Sequence, residues 1–320
     1  LNTSNCCSSF PRMPSSYQVV LWKQESFVVL RPLQIEFFRN LLVFRAPVHP
    51  FVPCGEALFF ECEPNRCKLI SYNTVMSQAA SAIVRSPAEI VQSNPVSQAA
   101  NGICYARSGE ITIADNDLER MIAAVPSPVA AALTRKAYYF VPLTVSQGDE
   151  TVIADRYDVA LSDNAVCHRN LNLGDAQCVF ISTRLMDDKF SVAFEFYINV
   201  GHALVERAGV SQNFADLVWQ QAESGVRGET SLDAWEARKL ATANGPDAEK
   251  FKTDYLAASF ADAISIYLLS LYLDVDYHDL RERDYPLLAP TPMAERLRKI
   301  AEIFPPNPGF EFNIYYRRRA

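Results

Sequence analysis

Apolar residues occupy nearly every position of residues 189–208: Val192, Ala193, Phe194, Phe196, Ile198, Val200, Ala203, Leu204 and Val205. A helix that is apolar nearly all round is a buried helix. One polar stripe crosses it: Glu195, Asn199, His202 and Glu206, spaced i, i+4, i+7 and i+11, which is a single helical face. A second run, residues 257–273, is apolar except for Ser259, Asp262, Ser265 and Ser270, so Asp262 is expected as a buried carboxylate. Buried polar groups need partners. The simplest partner for Asp262 is the stripe of the first helix, His202 in particular.

The pattern elsewhere fills in the order of elements. Residues 17–30 and 35–46 are rich in Val, Leu and Phe and read as strands. Residues 54–67 read as a hairpin turning at Pro64–Asn65, and 75–84 as a short helix in a loose Ser/Ala/Gln-rich connection. Asp115 or Asn116 caps a helix through Val125, which Pro126 and Pro128 should stop. Residues 138–146, 152–161 and 178–183 read as strands, the last as an edge strand, with a polar loop over 170–175. Helices are expected over 189–208, 214–223, 232–243, 248–273 and 292–304. A few strands followed by a run of helices is an α+β pattern, not a βαβ repeat. No internal repeat is evident.

Composition adds a division. Residues 1–110 contain no Asp, six of the eight Cys, and 9 Lys+Arg against 7 Glu, whereas residues 111–320 hold all 18 Asp. This suggests a small Cys-containing N-terminal segment, 1–110, of uncertain structure, ahead of a main domain, 111–320. The formal net charge of -7 argues against nucleic acid as a partner, and the one basic run, Arg317 to Arg319, reads as a solvated tail. The most apolar stretch carries Asp262 at its middle, so no membrane span is expected. The chain opens on Leu1 without a charged-then-apolar leader pattern, which fits either a removed leader or a start that is not the native one. No CxxC pair occurs, which disfavours a Cys-ligated zinc site. Cys167 and Cys178 flank the polar loop and are expected to be able to close it as a disulfide, which favours an oxidising compartment.

The succession of motifs resembles a known family. The segment Ile181-Ser182-Thr183-Arg184-Leu185-Met186-Asp187-Asp188 is followed by FEFYINVGHAL over 194–204. Then come Ala258-Ser259-Phe260-Ala261-Asp262, Leu273-Asp274-Val275-Asp276 and Thr291-Pro292-Met293-Ala294-Glu295-Arg296-Leu297. In order and spacing this resembles the gluzincin zinc metallopeptidases related to CAAX prenyl proteases, in particular their soluble periplasmic members, over roughly residues 111–304. The resemblance implies a zincin-like fold, a short mixed sheet with a mainly helical C-terminal half, and a periplasmic or secreted setting. It also implies where the chemistry should lie, and there the chain departs. The five HExxH positions are Ile198-Asn199-Val200-Gly201-His202. Ile198 stands at the first ligand position, Asn199 at that of the general base, and His202 at the second ligand position. Ala258 stands at the third ligand position, Asp262 at a position that would orient a ligand, and Thr291-Pro292 where the family has His-Pro.

Catalytic zinc needs three protein ligands and an open position, and an Asn amide has no basic lone pair to take a proton from water. The resemblance with these losses implies an inactive homologue, a degenerate-HExxH pseudoenzyme that binds a polypeptide or protein partner along its edge strand. His202 is then either a remnant metal ligand or a core histidine bonded to Asp262 or to a backbone carbonyl. An active zinc endopeptidase is the first alternative, with Glu206, Asp262 or His278 as substitute ligands. The second is an unrelated helical interaction protein. His168 reads as a loop residue, and His49 belongs to the N-terminal segment. Cys167 with a nearby His gives no supported cysteine-protease dyad, and no GxSxG, P-loop or GxGxxG occurs.

Overall fold

The computed structural model describes residues 81–133, 135–148, 150–186, 188–243, 245–275 and 285–315, with the backbone of 62–63 and 66–67. The expected strands at 17–30 and 35–46, His49, His278 and the basic run 317–319 lie outside it. The strands Cys62–Glu63 (β1) and Arg66–Cys67 (β2) pair antiparallel across residues 64–65, where the hairpin turn is expected. Val84, the last residue of the helix expected over 75–84, starts a strand instead.

Beyond this hairpin, two larger sheets organise the described residues. The strands are Val84–Arg85 (β3), Ser97–Gln98 (β4), Cys104–Arg107 (β5), Lys136–Val141 (β6), Leu143–Gln147 (β7), Glu150–Ala154 (β8), Ala165–Val166 (β9), His168–Leu173 (β10) and Ala176–Ser182 (β11). The larger sheet has the order β10-β11-β6-β5-β4, parallel at β11/β6 and β6/β5 and antiparallel at its two margins. The smaller sheet, β3-β8-β7-β9, is antiparallel throughout. Among the described residues there are nine helices. They are Pro87–Ser93 (α1), Asp115–Ala123 (α2), Ser127–Ala132 (α3), Val159–Ser162 (α4), Lys189–Ala208 (α5), Gln212–Glu223 (α6), Leu232–Ala241 (α7), Ala248–Tyr272 (α8) and Pro290–Ile303 (α9). The mixed α+β content and the helical C-terminal half are therefore as expected.

Several expected elements divide differently, each for a local reason. The strand read over 138–146 is two strands in two sheets, broken at Pro142, which has no N–H for a ladder. The strand read over 152–161 ends at Ala154. Asp158 then caps the short α4, its Oδ1 accepting from Ala160 N at 2.9 Å. Pro128 does not stop a helix; it sits in the first turn of α3, where a missing N–H costs nothing. The polar loop read over 170–175 is mostly strand β10, closed by a turn at 174–175. In consequence β11 is flanked by β10 and β6 and is not an edge strand. Strands β3 to β5 lie before residue 110 and pair with β8 and β6, so the composition change at 110 is no break in strand pairing.

Alternation along β6 and β11 sorts the core. Tyr138, Phe140, Val179 and Ile181 face the helices and join the main cluster with α5 and α8, whereas Tyr139, Val141, Cys178 and Phe180 face α1. Phe196 of α5 sets its edge on Tyr138, ring centroids 4.9 Å apart. Cys167 belongs to the first cluster and Cys178 to the second, and both thiols are free. Cys178 lies opposite Leu171, and Cys167 opposite Ser182, a separation along the ladder of about 13 Å at ~3.3 Å per residue. A disulfide needs Cα atoms within about 7 Å, so the expected bridge is not formed.

The helical half carries a second stabilising device. Glu229, fully buried, accepts from Arg238 Nη1 at 2.9 Å and Tyr255 Oη at 2.8 Å, and its other oxygen accepts from Arg296 Nη1 at 2.9 Å. Arg296, also fully buried, donates from Nε to Gln221 Oε1 at 2.8 Å. One carboxylate thereby ties α7, α8 and α9, and the Gln221 bond adds α6. Among the described residues α8 is the one helix long and apolar enough to cross a membrane, and 72% of that window is buried inside the protein.

Candidate functional site

Helices α5 and α8 pack antiparallel and very close. Ser265 Oγ donates to Tyr197 O at 3.1 Å, and one turn along α5 a Cβ on Gly201 would fall 2.6 Å from Ala261 O. Residue numbers rise along one helix as they fall along the other. The small side chains at Gly201, Ala261 and Ser265 allow this approach, which sets the polar stripe of α5 near the Asp262 stretch of α8.

The stripe does not act as one unit. Glu195 is 2% exposed, and its carboxylate meets Nδ1 of His168, the first residue of β10. Nothing in the sequence pattern paired these two residues, 27 positions apart. The available signal was the alternation of Leu171 and Leu173 with Asn170 and Asn172, which marks 168–173 as a strand. Asn199, at the general-base position, donates from Nδ2 to Glu195 O at 2.9 Å and so spends its amide on its own helix.

His202 is open to solvent. Protein nonetheless surrounds the ring closely enough that desolvation, then the His168 ring, lowers its pKa below the ordinary histidine value, with Asp233 and Glu195 opposing. Asp262 is half-buried and does not take His202 as a hydrogen-bond partner. Its Oδ2 accepts from Thr230 Oγ1 at 2.7 Å, and the Ser231 hydroxyl also serves it. Burial pushes its pKa up to about 6, against the lowering effect of those two hydroxyls. The core histidine bonded to Asp262 is therefore not what the structure holds.

The remaining expected positions separate. Ile198 and Ala258, at the two altered ligand positions, both pack against the main core cluster. Glu206 is exposed and pairs with Lys136 Nζ at 3.5 Å. His278 lies outside the described residues. Among the described residues no group of three or more His, Cys, Asp or Glu side chains is placed to hold a metal ion. Cys167, beside His168, has its thiol pKa pushed up by burial and by the Glu195 charge, which disfavours the nucleophilic thiolate.

Asp262 yields a prediction with a definite sign. A carboxyl whose folded pKa of about 6 exceeds the ordinary aspartate value of 3.8 binds its proton more tightly in the folded state. Its charge therefore opposes folding above pH 6, and the penalty is relieved as pH falls from 6 towards 4. Asp262→Asn is expected to be more stable than the parent by about 1–3 kcal/mol at pH 7.5. That advantage should shrink steadily to pH 4. Urea unfolding of both proteins across this range reads the difference; equal stability at every pH would refute the assignment.

Comparison of the chain with protein-family models, with curated proteins and with solved structures finds no match.

Proposed function

We propose that this chain is a metallopeptidase-like, zincin-type framework without zinc chemistry, serving as a binding module for a polypeptide or protein partner. The observation that carries this reading is how the altered positions are used. Ile198 and Ala258 pack against the core, and the Asn199 amide is bonded to its own helix, while His202 stays exposed to solvent. Side chains absorbed in these ways have no part to play in zinc ligation or water activation. Asp262 is ionised at neutral pH although burial opposes it, and a group kept charged at the expense of stability is a mark of binding sites. Strand addition at β11, one way to capture a polypeptide, is closed because β10 covers that strand. The exposed face of α5 at His202, on the helix packed against the α8 stretch that carries Asp262, is thus the proposed contact surface. The periplasmic or secreted setting belongs to the same proposal, supported by the family resemblance and not by a disulfide.

The test is elemental analysis of the purified chain after equilibration with micromolar zinc, with His202→Ala as control, and titration with unfolded, carboxymethylated casein. Zinc at background in both proteins is expected, with casein bound uncleaved and its affinity reduced roughly tenfold or more by His202→Ala. Near-stoichiometric zinc that the substitution abolishes, or casein cleavage, would overturn the reading in favour of a peptidase with substitute ligands such as Glu206, Asp262 or His278. Background zinc with no casein binding would remove the binding module.

A further inference from the structure

The two larger sheets have four edges among the described residues, and these differ sharply. Edges β3, β4 and β9 are two residues long, a common way of making an edge harmless. Edge β10 has six residues, with no proline or glycine between His168 and Leu173. Its hydrogen-bonding direction can be fixed. Ser182 N donates to Cys167 O at 2.8 Å, so Cys167 and, by alternation, residues 169, 171 and 173 turn their backbone groups towards β11. His168, Asn170 and Asn172 then present N–H and C=O outward. Long unblunted edges pair with another strand.

Charge selects the occupant. Arg169, the one charged side chain in β10, lies near its start, and Asp175 lies just past its end in the turn to β11. An antiparallel second copy brings each Arg169 towards the other copy's Asp175, whereas a parallel copy aligns like charges. Leu171 and Leu173, half-buried on the α1 side of the sheet, would gain apolar neighbours in the same step.

We propose that the chain forms a two-fold dimer in which β10 of one copy pairs antiparallel with β10 of the other, joining the two five-stranded sheets into one. An isologous edge-to-edge contact of this kind closes on itself and leaves no further long edge for growth among the described residues. The pairing would also fix the strand whose first side chain, His168, meets Glu195.

Sedimentation equilibrium of the full chain at micromolar concentration tests this. A dimer is expected for the parent and a monomer for Asn170→Pro, because proline removes an outward N–H while leaving the β10/β11 ladder intact. Arg169→Asp should weaken the dimer roughly tenfold or more, and the double substitution Arg169→Asp with Asp175→Arg should restore it. The charge pair keeps the question decidable if the proline variant does not fold. A monomeric parent, a dimer indifferent to both variants, or β10 amides protected from exchange in a monomer would overturn the proposal, the last pointing to another segment of the same chain as the occupant.

Discussion

Replacing Glu229 by glutamine is expected to destabilise the protein by about 3–5 kcal/mol, the cost of leaving buried charge without its counter-ion. Two guanidinium groups, of Arg238 and Arg296, meet this one carboxylate, and Arg296 is fully buried. Glutamine keeps the shape and one acceptor oxygen but removes the charge. Its amide nitrogen would also face a donor, since both carboxylate oxygens accept from arginine. Tyr255 keeps its acceptor if the amide oxygen stands at the Oε1 position, and the amide nitrogen then faces Arg296. A total fold stability is about 5–15 kcal/mol, so the variant should unfold at markedly lower urea concentration or fail to accumulate. The companion substitution Arg296→Met separates the ion pair from the packing. It removes one buried cation and leaves Glu229 paired to Arg238, so it should cost less than Glu229→Gln. Equal costs, or a loss under about 1 kcal/mol for Glu229→Gln, would show that water or another cation compensates the network.

Gly201→Val is the second large effect, expected to cost about 3 kcal/mol or more through overpacking at the helix crossing. The Cβ alone would lie 2.6 Å from Ala261 O and 2.9 Å from Ser265 Oγ, and the first of these is backbone that cannot rotate away. Helices α5 and α8 would have to separate, breaking the Ser265–Tyr197 hydrogen bond of 3.1 Å. Gly201→Ala carries the same first clash but gains about 1 kcal/mol of helix propensity, so it should fall between the parent and valine. Thermal unfolding of the three proteins gives the order. An alanine variant as stable as the parent would mean that the crossing can relax, and would weaken the case that this close approach is what positions His202 and Asp262.

Much of the helical half was legible in the sequence because burial of a whole helix leaves a local signature. The bounds of α5 follow from its apolar run, with Asp188 as its cap, Oδ1 accepting from Ser191 N at 2.7 Å, and Gly209 past its end. Helix α8 is legible for the same reason, and both owe little to distant residues. The strands were less so. Pro142 and the Asn-rich 170–172 each bear local signals, but which sheet a strand joins is settled by partners far along the chain. The reading of β11 as an edge failed on this point.

The candidate site divides in the same way. The stripe Glu195, Asn199, His202 and Glu206 follows from helical spacing alone, and so does the presence of a carboxylate at 262 in an apolar helix. Which of these groups meet is a tertiary matter. Glu195 finds His168 on a strand, Asn199 turns to its own backbone, Glu206 pairs with Lys136, and Asp262 takes Thr230 and Ser231 in place of His202. Neither Glu229, ahead of α7, nor Arg296, on α9, carries a local sequence signal of its burial. Sequence periodicity reports which face of an element is apolar. It carries no record of which distant side chain fills the space beside a buried charge, and that choice, made by packing, decides where charge is paired and where it is left open to a ligand.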